Sequence, residues 1–177
     1  MTTENLPVLA ILGGTGDLGT GLARRWAQAG YEVIIGSRTL EKAEAAVADL
    51  REVMAERGVS EVTVQAMSNA DAAAAAEIVT LTVPFSHQVS TLESVRDALQ
   101  GKILIDVTVP LVPPRVARVQ LPPEGSAGQI AQELLGEEVA VVSAFQNVAA
   151  AHLQEGKGVE CDVLVSGNKK DARQQVI

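Results

Sequence analysis

The feature that most constrains the fold is a glycine-rich turn placed between an apolar strand and a helix near the start of the chain. Residues 8–12 read VLAIL, which is typical of a short buried strand. Residues 13–19 then read GGTGDLG, with the spacing G-x-G-x-x-G at Gly14, Gly16 and Gly19. Such glycines let the backbone approach a pyrophosphate and let a strand and a helix pack closely. The turn therefore predicts a βαβ unit that binds a dinucleotide.

The residues after the second predicted strand, 31–35, bear on which dinucleotide binds. An acidic side chain there would accept hydrogen bonds from a free ribose 2′-hydroxyl, but this chain has Ser37 and Arg38, with Lys42 one helical turn further on. A hydroxyl and two cations suit a 2′-phosphate. Positive charge in the first turn of a helix opposes the helix dipole unless an anion binds there. The sequence favours NADP(H) over NAD(H); the alternative is that both cations are ordinary solvated residues at a helix start.

Composition limits the classes of function. The chain has 177 residues, 47% of them hydrophobic, which fits one domain with a buried parallel sheet. A net charge of −8 argues against nucleic acid or an anionic membrane as a partner. One cysteine, Cys161, excludes an internal disulfide, and no segment reads as a signal peptide or a membrane span. We therefore expect a cytoplasmic protein.

Strand and helix patterns alternate throughout, which predicts an α/β fold: a Rossmann-type doubly wound, mostly parallel sheet flanked by helices. The predicted strands are 8–12, 31–35, 62–66, 77–82, 102–106, 139–144 and 162–166. The predicted helices are 17–29, 40–57, 72–76 (capped by Asn69 or Asp71), 86–99, 126–135 and 149–153. No linker divides the chain, so residues 1–177 form a single NADP-binding domain. A last helix beginning at Lys169 has no stop signal, and we expect further helical sequence to follow it.

Ligands of a doubly wound sheet bind at the carboxyl ends of its strands. The glycine turn, residues 82–87, the start of the Pro-rich stretch 107–124 and residues 144–147 should converge there. Phe85 and Phe145 either line this site or plug the ends of the sheet. His87 either binds the ligand, caps a helix or acts as an acid; binding is favoured because no neighbour would orient it as a base. No metal-ligand cluster or catalytic triad is present, which fits hydride transfer between two organic cofactors.

Several motifs together resemble the NADPH-dependent F420 reductases (F420:NADP oxidoreductases). They are ILGGTGDLG at 11–19, IGSR at 35–38 with KAE at 42–44, TVP at 82–84, IDVTVPLVPP at 105–114 and VVSAFQNV at 141–148. The first two are shared with other NADP-binding Rossmann domains, including those of six-transmembrane metalloreductases, and the later ones are more specific. The likeness covers essentially the whole chain.

The resemblance implies an enzyme that transfers a hydride directly between nicotinamide C4 of NADPH and C5 of the deazaflavin coenzyme F420. Matches to the family's 2′-phosphate residues are Thr15, Ser37, Arg38 and Lys42. Matches around the nicotinamide are Val83, Pro84, His87, Ala144 and Phe145, and those facing the deazaflavin are the Pro-rich loop, Gln146 and Asn147. Some relatives carry histidine in place of Gln146. Family members continue into a C-terminal helical region that completes the F420 site and a homodimer contact.

The full set of predicted cofactor-binding residues follows from the motif and the resemblance together, with no catalytic side chain and no metal. It comprises Gly14, Thr15, Gly16, Asp17, Leu18, Gly19, Ser37, Arg38, Lys42, Thr82, Val83, Pro84, His87, Ala144, Phe145, Gln146 and Asn147. Two other functions remain open: an NADPH-dependent reductase of a flavin or small carbonyl compound, and a non-catalytic NADP(H)-sensing module. Arg115 and Arg118 either meet the phosphate or glutamyl carboxylates of an F420 tail or are plain surface charges.

Overall fold

The computed structural model describes residues 6–59, 61–114 and 118–177. Seven strands in these ranges form one sheet. The strands are β1 (Leu9–Leu12), β2 (Val33–Ser37), β3 (Val64–Ser68), β4 (Ile78–Leu81), β5 (Ile103–Asp106), β6 (Ala140–Ser143) and β7 (Ser166–Gly167). The α-helices are α1 (Asp17–Gln28), α2 (Leu40–Glu56), α3 (Asn69–Ala75), α4 (Gln88–Val95), α5 (Ala127–Leu135), α6 (Ala150–Gln154) and α7 (Lys170–Val176).

The order of strands across the sheet is β3-β2-β1-β4-β5-β6-β7. The first six are parallel, and β7 runs antiparallel to β6. From β1 the chain adds β2 and β3 on one side of the sheet, and it then returns to add β4 to β6 on the other side of β1. The strand order therefore reverses between β1 and β4, and a crevice opens at the carboxyl ends of these two parallel strands. The predicted fold, a doubly wound and mostly parallel Rossmann-type sheet, is confirmed.

Both faces of the sheet are covered by helices, which explains why its strands read as continuous apolar runs. Leu12 packs with buried side chains of α3, α4 and α5 on one face, whereas Ile11 packs with those of α1 and α2 on the other. Ala172 of α7 packs against Ile105 and Val142 towards the β7 edge of the sheet. Alternate side chains therefore enter different hydrophobic clusters, and a polar residue at either kind of position would be buried. No helix of the described residues is long and apolar enough to cross a membrane.

Local boundaries differ from the prediction in several places. Strands β2 and β3 each lie two residues later than predicted. Ser68 caps α3, because its Oγ accepts a hydrogen bond from the Asp71 backbone N–H at 3.1 Å; the predicted caps were wrong, and Asn69 is already helical. The predicted helix 86–99 is α4 flanked by 3₁₀ turns at Phe85–His87 and Asp97–Leu99.

The seventh strand is also shorter than predicted. Of the predicted residues 162–166, only Ser166 pairs with β6, and Gly167 completes the strand. A Cβ added to Gly167 would lie 2.6 Å from the carbonyl oxygen of Val141, so the pairing needs a glycine at this point. The spacing of apolar residues at 162–166, from which the strand was predicted, carries no information about this close approach of Gly167 to Val141.

Helix α1 sits against the glycine turn through direct backbone contact. A Cβ added to Gly19 would lie 2.7 Å from Cα of Gly14 and 2.9 Å from its carbonyl carbon and oxygen, whereas a Cβ added to Gly16 would meet nothing within 4 Å. We expect Gly19→Ala to lower the free energy of unfolding by about 1–3 kcal/mol, because backbone cannot move aside as a side chain can. Gly16→Ala is the matched control and should cost clearly less. Chemical denaturation of both variants measures this; equal losses would contradict it.

Candidate functional site

A cavity of about 250 Å³ opens at the carboxyl ends of β1 and β4, at the reversal of strand order. The glycine turn, the end of β2, the start of α3 and the segment after β4 all contribute to its wall. Its lining residues are Gly13, Thr15, Gly16, Ser37, Arg38, Thr39, Lys42, Asn69, Thr82, Val83, Pro84, His87 and Thr91. Nine of these thirteen lining residues are among those that the sequence predicts to bind the cofactor.

The glycine turn presents backbone to the cavity. The Gly14 N–H donates to the Gly36 carbonyl at 3.0 Å, which fixes the turn to the neighbouring strand. Gly13 has a φ of 66°, and a Cβ there would overlap the side chain of Val83. Gly16 is the N-cap of α1 and offers no side-chain cap, so the first-turn amides of a twelve-residue helix are left to face the open side. This arrangement suits an anion such as a pyrophosphate.

One end of the cavity is formed by two cations, Arg38 and Lys42, and two hydroxyl residues, Ser37 and Thr39. Arg38 and Lys42 are exposed, and neither forms an ion pair; between residues 6 and 177, over the described ranges, the one salt bridge joins other residues. Ser37 is buried at the end of β2, where its Oγ accepts a hydrogen bond from the Thr39 N–H at 3.2 Å. Positive charge without a protein anion is what a bound phosphate monoester requires.

Asn69 lines the cavity and was not predicted to bind a ligand. Its side chain is buried, and Oδ1 accepts a hydrogen bond from the Gly13 N–H at 3.2 Å, which holds the first glycine of the turn. No described residue accepts a hydrogen bond from its Nδ2. The available signal was position: Asn69 follows the end of β3 just as Arg38 follows the end of β2.

Thr82, Val83, Pro84 and His87 form the wall after β4. The N–H and Oγ1–H of Thr82 both donate to the Leu12 carbonyl at 3.0 Å, which ties the ends of β4 and β1 together. His87 is exposed at the end of a 3₁₀ turn, where its N–H donates to the Pro84 carbonyl at 2.8 Å. No described carboxylate hydrogen-bonds the His87 ring, so nothing in the described chain orients it as a base.

Other predicted residues lie beside the cavity without lining it. Asp17 and Leu18 belong to the first turn of α1, and the Asp17 carbonyl accepts a hydrogen bond from Gln154 Nε2 at 2.7 Å. Gly14 and Gly19 face each other behind the turn.

Residues 144–147 use their side chains within the protein. Ala144 is buried, and the Phe145 ring packs edge-on against Trp26 with centroids 6.1 Å apart. Gln146 Nε2 donates to the Asp106 carbonyl at 2.8 Å, and Asn147 Nδ2 donates to the Asp162 carbonyl at 2.6 Å. None of the four lines the cavity. The Phe145 ring thus fills the end of the sheet, which was one of the two predicted alternatives.

The Pro-rich loop carries exposed apolar side chains. Leu111 and Val119 pair across it, and both are exposed together with Val112 and Leu121. Arg118 is exposed, and Arg115 lies outside the described residues.

A buried carboxyl group lies where β5 reaches the same edge of the sheet. Asp106 is fully buried and accepts hydrogen bonds from Gln88 Nε2 at 2.8 Å and from the Thr108 N–H at 3.0 Å. Burial raises the pKa of the Asp106 carboxyl, and the hydrogen bonds from Thr108 and Gln88 act in the opposite direction. Sequence analysis gave this residue no role, although a carboxylate at the end of a central strand was a usable signal.

The chain matches a family of proteins in sequence and structure. The family model described as NADP oxidoreductase, coenzyme F420-dependent, matches residues 8–110. The F420-dependent NADP reductase of Methanocaldococcus jannaschii is 42% identical over 173 residues, which are 96% of this chain and 76% of the relative. That of Methanothermobacter thermautotrophicus is 44% identical over 169 residues, 93% of this chain and 72% of the relative.

A solved structure from Arthrobacter sp. FB24, described as an F420-dependent NADP-reductase, superimposes with a TM-score of 0.76 at 29% identity. The superposition covers 96% of this chain and 78% of that one. The match extends over more than half of the chain in the family model and nearly all of it in these relatives. This chain belongs to the family of coenzyme F420-dependent NADP oxidoreductases.

Proposed function

We propose that this protein transfers a hydride between NADPH and coenzyme F420. The observation that carries the proposal is the cavity at the β1–β4 edge, which joins backbone amides, two cations that pair with no described carboxylate, and the wall of residues 82–87. Family membership supports the identity of the second cofactor, since both methanogen relatives are named F420-dependent NADP reductases.

Different parts of the cavity match different parts of a dinucleotide. The 2′-phosphate would lie between Arg38 and Lys42, with the hydroxyls of Ser37 and Thr15 as further donors, because neither cation pairs with a carboxylate of the described residues. The pyrophosphate would lie over the glycine turn at the start of α1. Asn69 would donate from its free Nδ2 to the adenosine half, which makes it an additional binding residue. The nicotinamide would then extend towards the wall formed by Val83, Pro84 and His87.

This chain's residues would act by orienting two rings rather than by exchanging protons. NADPH supplies the hydride, and the protein must hold donor and acceptor carbons in contact and keep water away. Val83 and Pro84 give the wall an apolar surface, and Thr82 fixes that wall to β1. Gln146, Asn147 and the Pro-rich loop would face the deazaflavin, and the exposed apolar side chains of that loop favour an enzyme with a second cofactor over an NADP(H) sensor.

We also propose that residues 1–177 act as one NADP-binding domain of a cytoplasmic homodimer. The continuous seven-stranded sheet supports a single domain. Exposed Leu164, at 76% relative exposure, offers apolar surface for a second copy, and the exposed thiol of Cys161 fits a reducing compartment.

The direct test mixes the protein with NADPH and F420 and follows the deazaflavin absorbance. We expect one F420 to be reduced for each NADPH oxidised, and little reduction of FMN or of small carbonyl compounds. Reduction of FMN without reduction of F420 would replace the proposal with a different reductase. Tight NADPH binding with no acceptor reduced would support the sensing module instead.

Arg38→Ala should weaken NADPH binding by roughly one to two orders of magnitude, since loss of a charge-assisted hydrogen bond costs about 1.5–3 kcal/mol. NADH binding should hardly change, because NADH has no 2′-phosphate. Titration calorimetry with both cofactors measures the difference, and Arg96→Ala, an exposed arginine outside the cavity wall, is the matched control. Equal losses for NADPH and NADH would argue against a 2′-phosphate site at Arg38.

His87→Ala should lower kcat modestly, by less than about tenfold, because a positioning group contributes less than the 10²–10⁴-fold typical of an acid or base. The other histidine, His152 on α6, is exposed away from the cavity, so His152→Ala is the control. A loss above about a thousandfold with NADPH affinity intact would instead assign proton transfer to His87.

A further inference from the structure

The strongest feature outside the cavity wall is the buried polar group at the end of β5. Asp106 has no exposed surface, and within the described ranges no lysine, arginine or histidine pairs with it. Its carboxyl oxygens are held by dipoles alone: Oδ1 accepts from the Thr108 N–H at 3.0 Å and Oδ2 accepts from Gln88 Nε2 at 2.8 Å. A buried carboxyl group without a cation is costly and is retained only where its hydrogen bonds are well formed.

Gln88 completes the arrangement and is also fully buried. Its Nε2 lies 2.8 Å from Asp106 Oδ2, 2.8 Å from the Ala127 carbonyl and 3.1 Å from Thr108 Oγ1. An amide nitrogen has two hydrogens, and the two shorter contacts use both. The opposite amide orientation would place Gln88 Oε1 against the Ala127 carbonyl oxygen. The carboxyl group and this carbonyl therefore select one orientation, even though it leaves Oε1 buried and without a partner among the described residues.

This pair joins every segment assigned to the reactive end of the site. Gln88 is the first residue of α4 and follows His87 directly, so its side chain fixes the end of the 82–87 wall. Thr108 is the second residue of the Pro-rich loop. The Asp106 carbonyl accepts from Gln146 Nε2 at 2.8 Å and from the Ala144 N–H at 3.3 Å, which fixes the 144–147 turn. Among the described residues, the side chains at the adenosine end of the cavity form no hydrogen bond with Asp106 or Gln88; they are those of Ser37, Arg38, Lys42 and Asn69.

We propose that Asp106 and Gln88 are a pair of positioning residues that set the wall at His87 and the turn at Gln146 in the relative placement that hydride transfer requires. Neither residue lines the cavity, so the pair acts through these segments and not on the cofactors. The inference rests on the proposed function and deepens it, because it assigns to two buried residues the alignment of the two ring sites.

Asp106→Asn is the sharpest substitution, because it preserves shape and reverses one hydrogen-bonding atom. The introduced amide keeps an oxygen for the Thr108 N–H but turns its NH₂ group towards Gln88 Nε2. Two donors then face each other, and rotating the Gln88 amide only brings two oxygens together at Ala127. Either response releases the start of α4 from the end of β5.

The experiment compares the reactive end with the adenosine end of the site in the same protein. For Asp106→Asn we expect kcat for F420 reduction by NADPH to fall roughly 10- to 100-fold, the scale expected of a misplacement of about 1 Å. The Kd of 2′,5′-ADP, which reports the adenosine end alone, should stay within about twofold of wild type, and the ratio of the NADPH and 2′,5′-ADP dissociation constants should rise about three- to tenfold. Thr80→Val, which removes a buried hydroxyl from the neighbouring strand β4, is the control and should change none of these.

Gln88→Glu in the Asp106→Asn background tests the pair itself. A neutral carboxyl group at position 88 can accept from the introduced amide and donate to the Ala127 carbonyl, and burial favours that neutral form. The double variant should recover most of the lost kcat and the wild-type ratio of dissociation constants. If the pair only stabilised the fold, the double variant would recover thermal stability without recovering the wild-type ratio of the NADPH and 2′,5′-ADP dissociation constants.

Three outcomes overturn the inference: an unchanged kcat and ratio in Asp106→Asn, a parallel loss of 2′,5′-ADP affinity, or a folded double variant that recovers nothing. If the wild-type protein reduces no F420, the proposed function fails, and the ratio of the two dissociation constants still decides whether the pair positions the reactive end.

Discussion

The site depends on the backbone contact between Gly19 of α1 and Gly14 of the turn. Because neither residue has a Cβ, the helix approaches the end of β1 closely enough to aim its first amides into the crevice between β1 and β4. Asn69 and the Gly36 carbonyl hold the same turn through the N–H groups of Gly13 and Gly14. The position of the glycine turn at the crevice is thus set by close packing of main chain, and the exposed cations of Arg38 and Lys42 line the same cavity.

Two kinds of polar group meet at the carboxyl edge of the sheet and have different physical roles. Arg38 and Lys42 are exposed, so their charges stay hydrated at little desolvation cost, and neither pairs with a carboxylate within the described ranges. Asp106 and Gln88 are buried and hydrogen-bonded to each other. Their desolvation cost is high, and only well-formed hydrogen bonds in a defined geometry offset it. A site that transfers a hydride needs both properties: adaptable charge at the phosphate end, and fixed segments where the rings must align within a fraction of an ångström.

Sequence reasoning succeeded where the determining interactions are local. The glycine spacing, the apolar strands and the cations after β2 lie within one βαβ unit, and periodicity with helix and turn chemistry is enough to interpret them. It missed Asn69, Gln88 and Asp106, because the hydrogen bonds Asn69–Gly13 and Gln88–Asp106 join residues 56 and 18 positions apart and depend on how α3, α4 and β5 are placed across the sheet. The Ser68 cap was missed for a smaller reason: several polar residues stand together there, and only the backbone shows which one precedes the first helical turn.

Phe145 shows how a resemblance can identify a segment without giving the task of each side chain. Its φ of 69° is unfavourable for a residue with a Cβ, at a cost on the order of 1–3 kcal/mol. Edge-on packing against Trp26 offsets part of that cost, about 0.5–1.5 kcal/mol beyond burial, and the reversed backbone returns the Gln146 amide to the Asp106 carbonyl. The turn therefore uses the side chains of Phe145, Gln146 and Asn147 to bind itself to α1, β5 and residue 162. Because these side chains are engaged within the protein, any contact that this segment makes with a cofactor is expected to come first from its backbone.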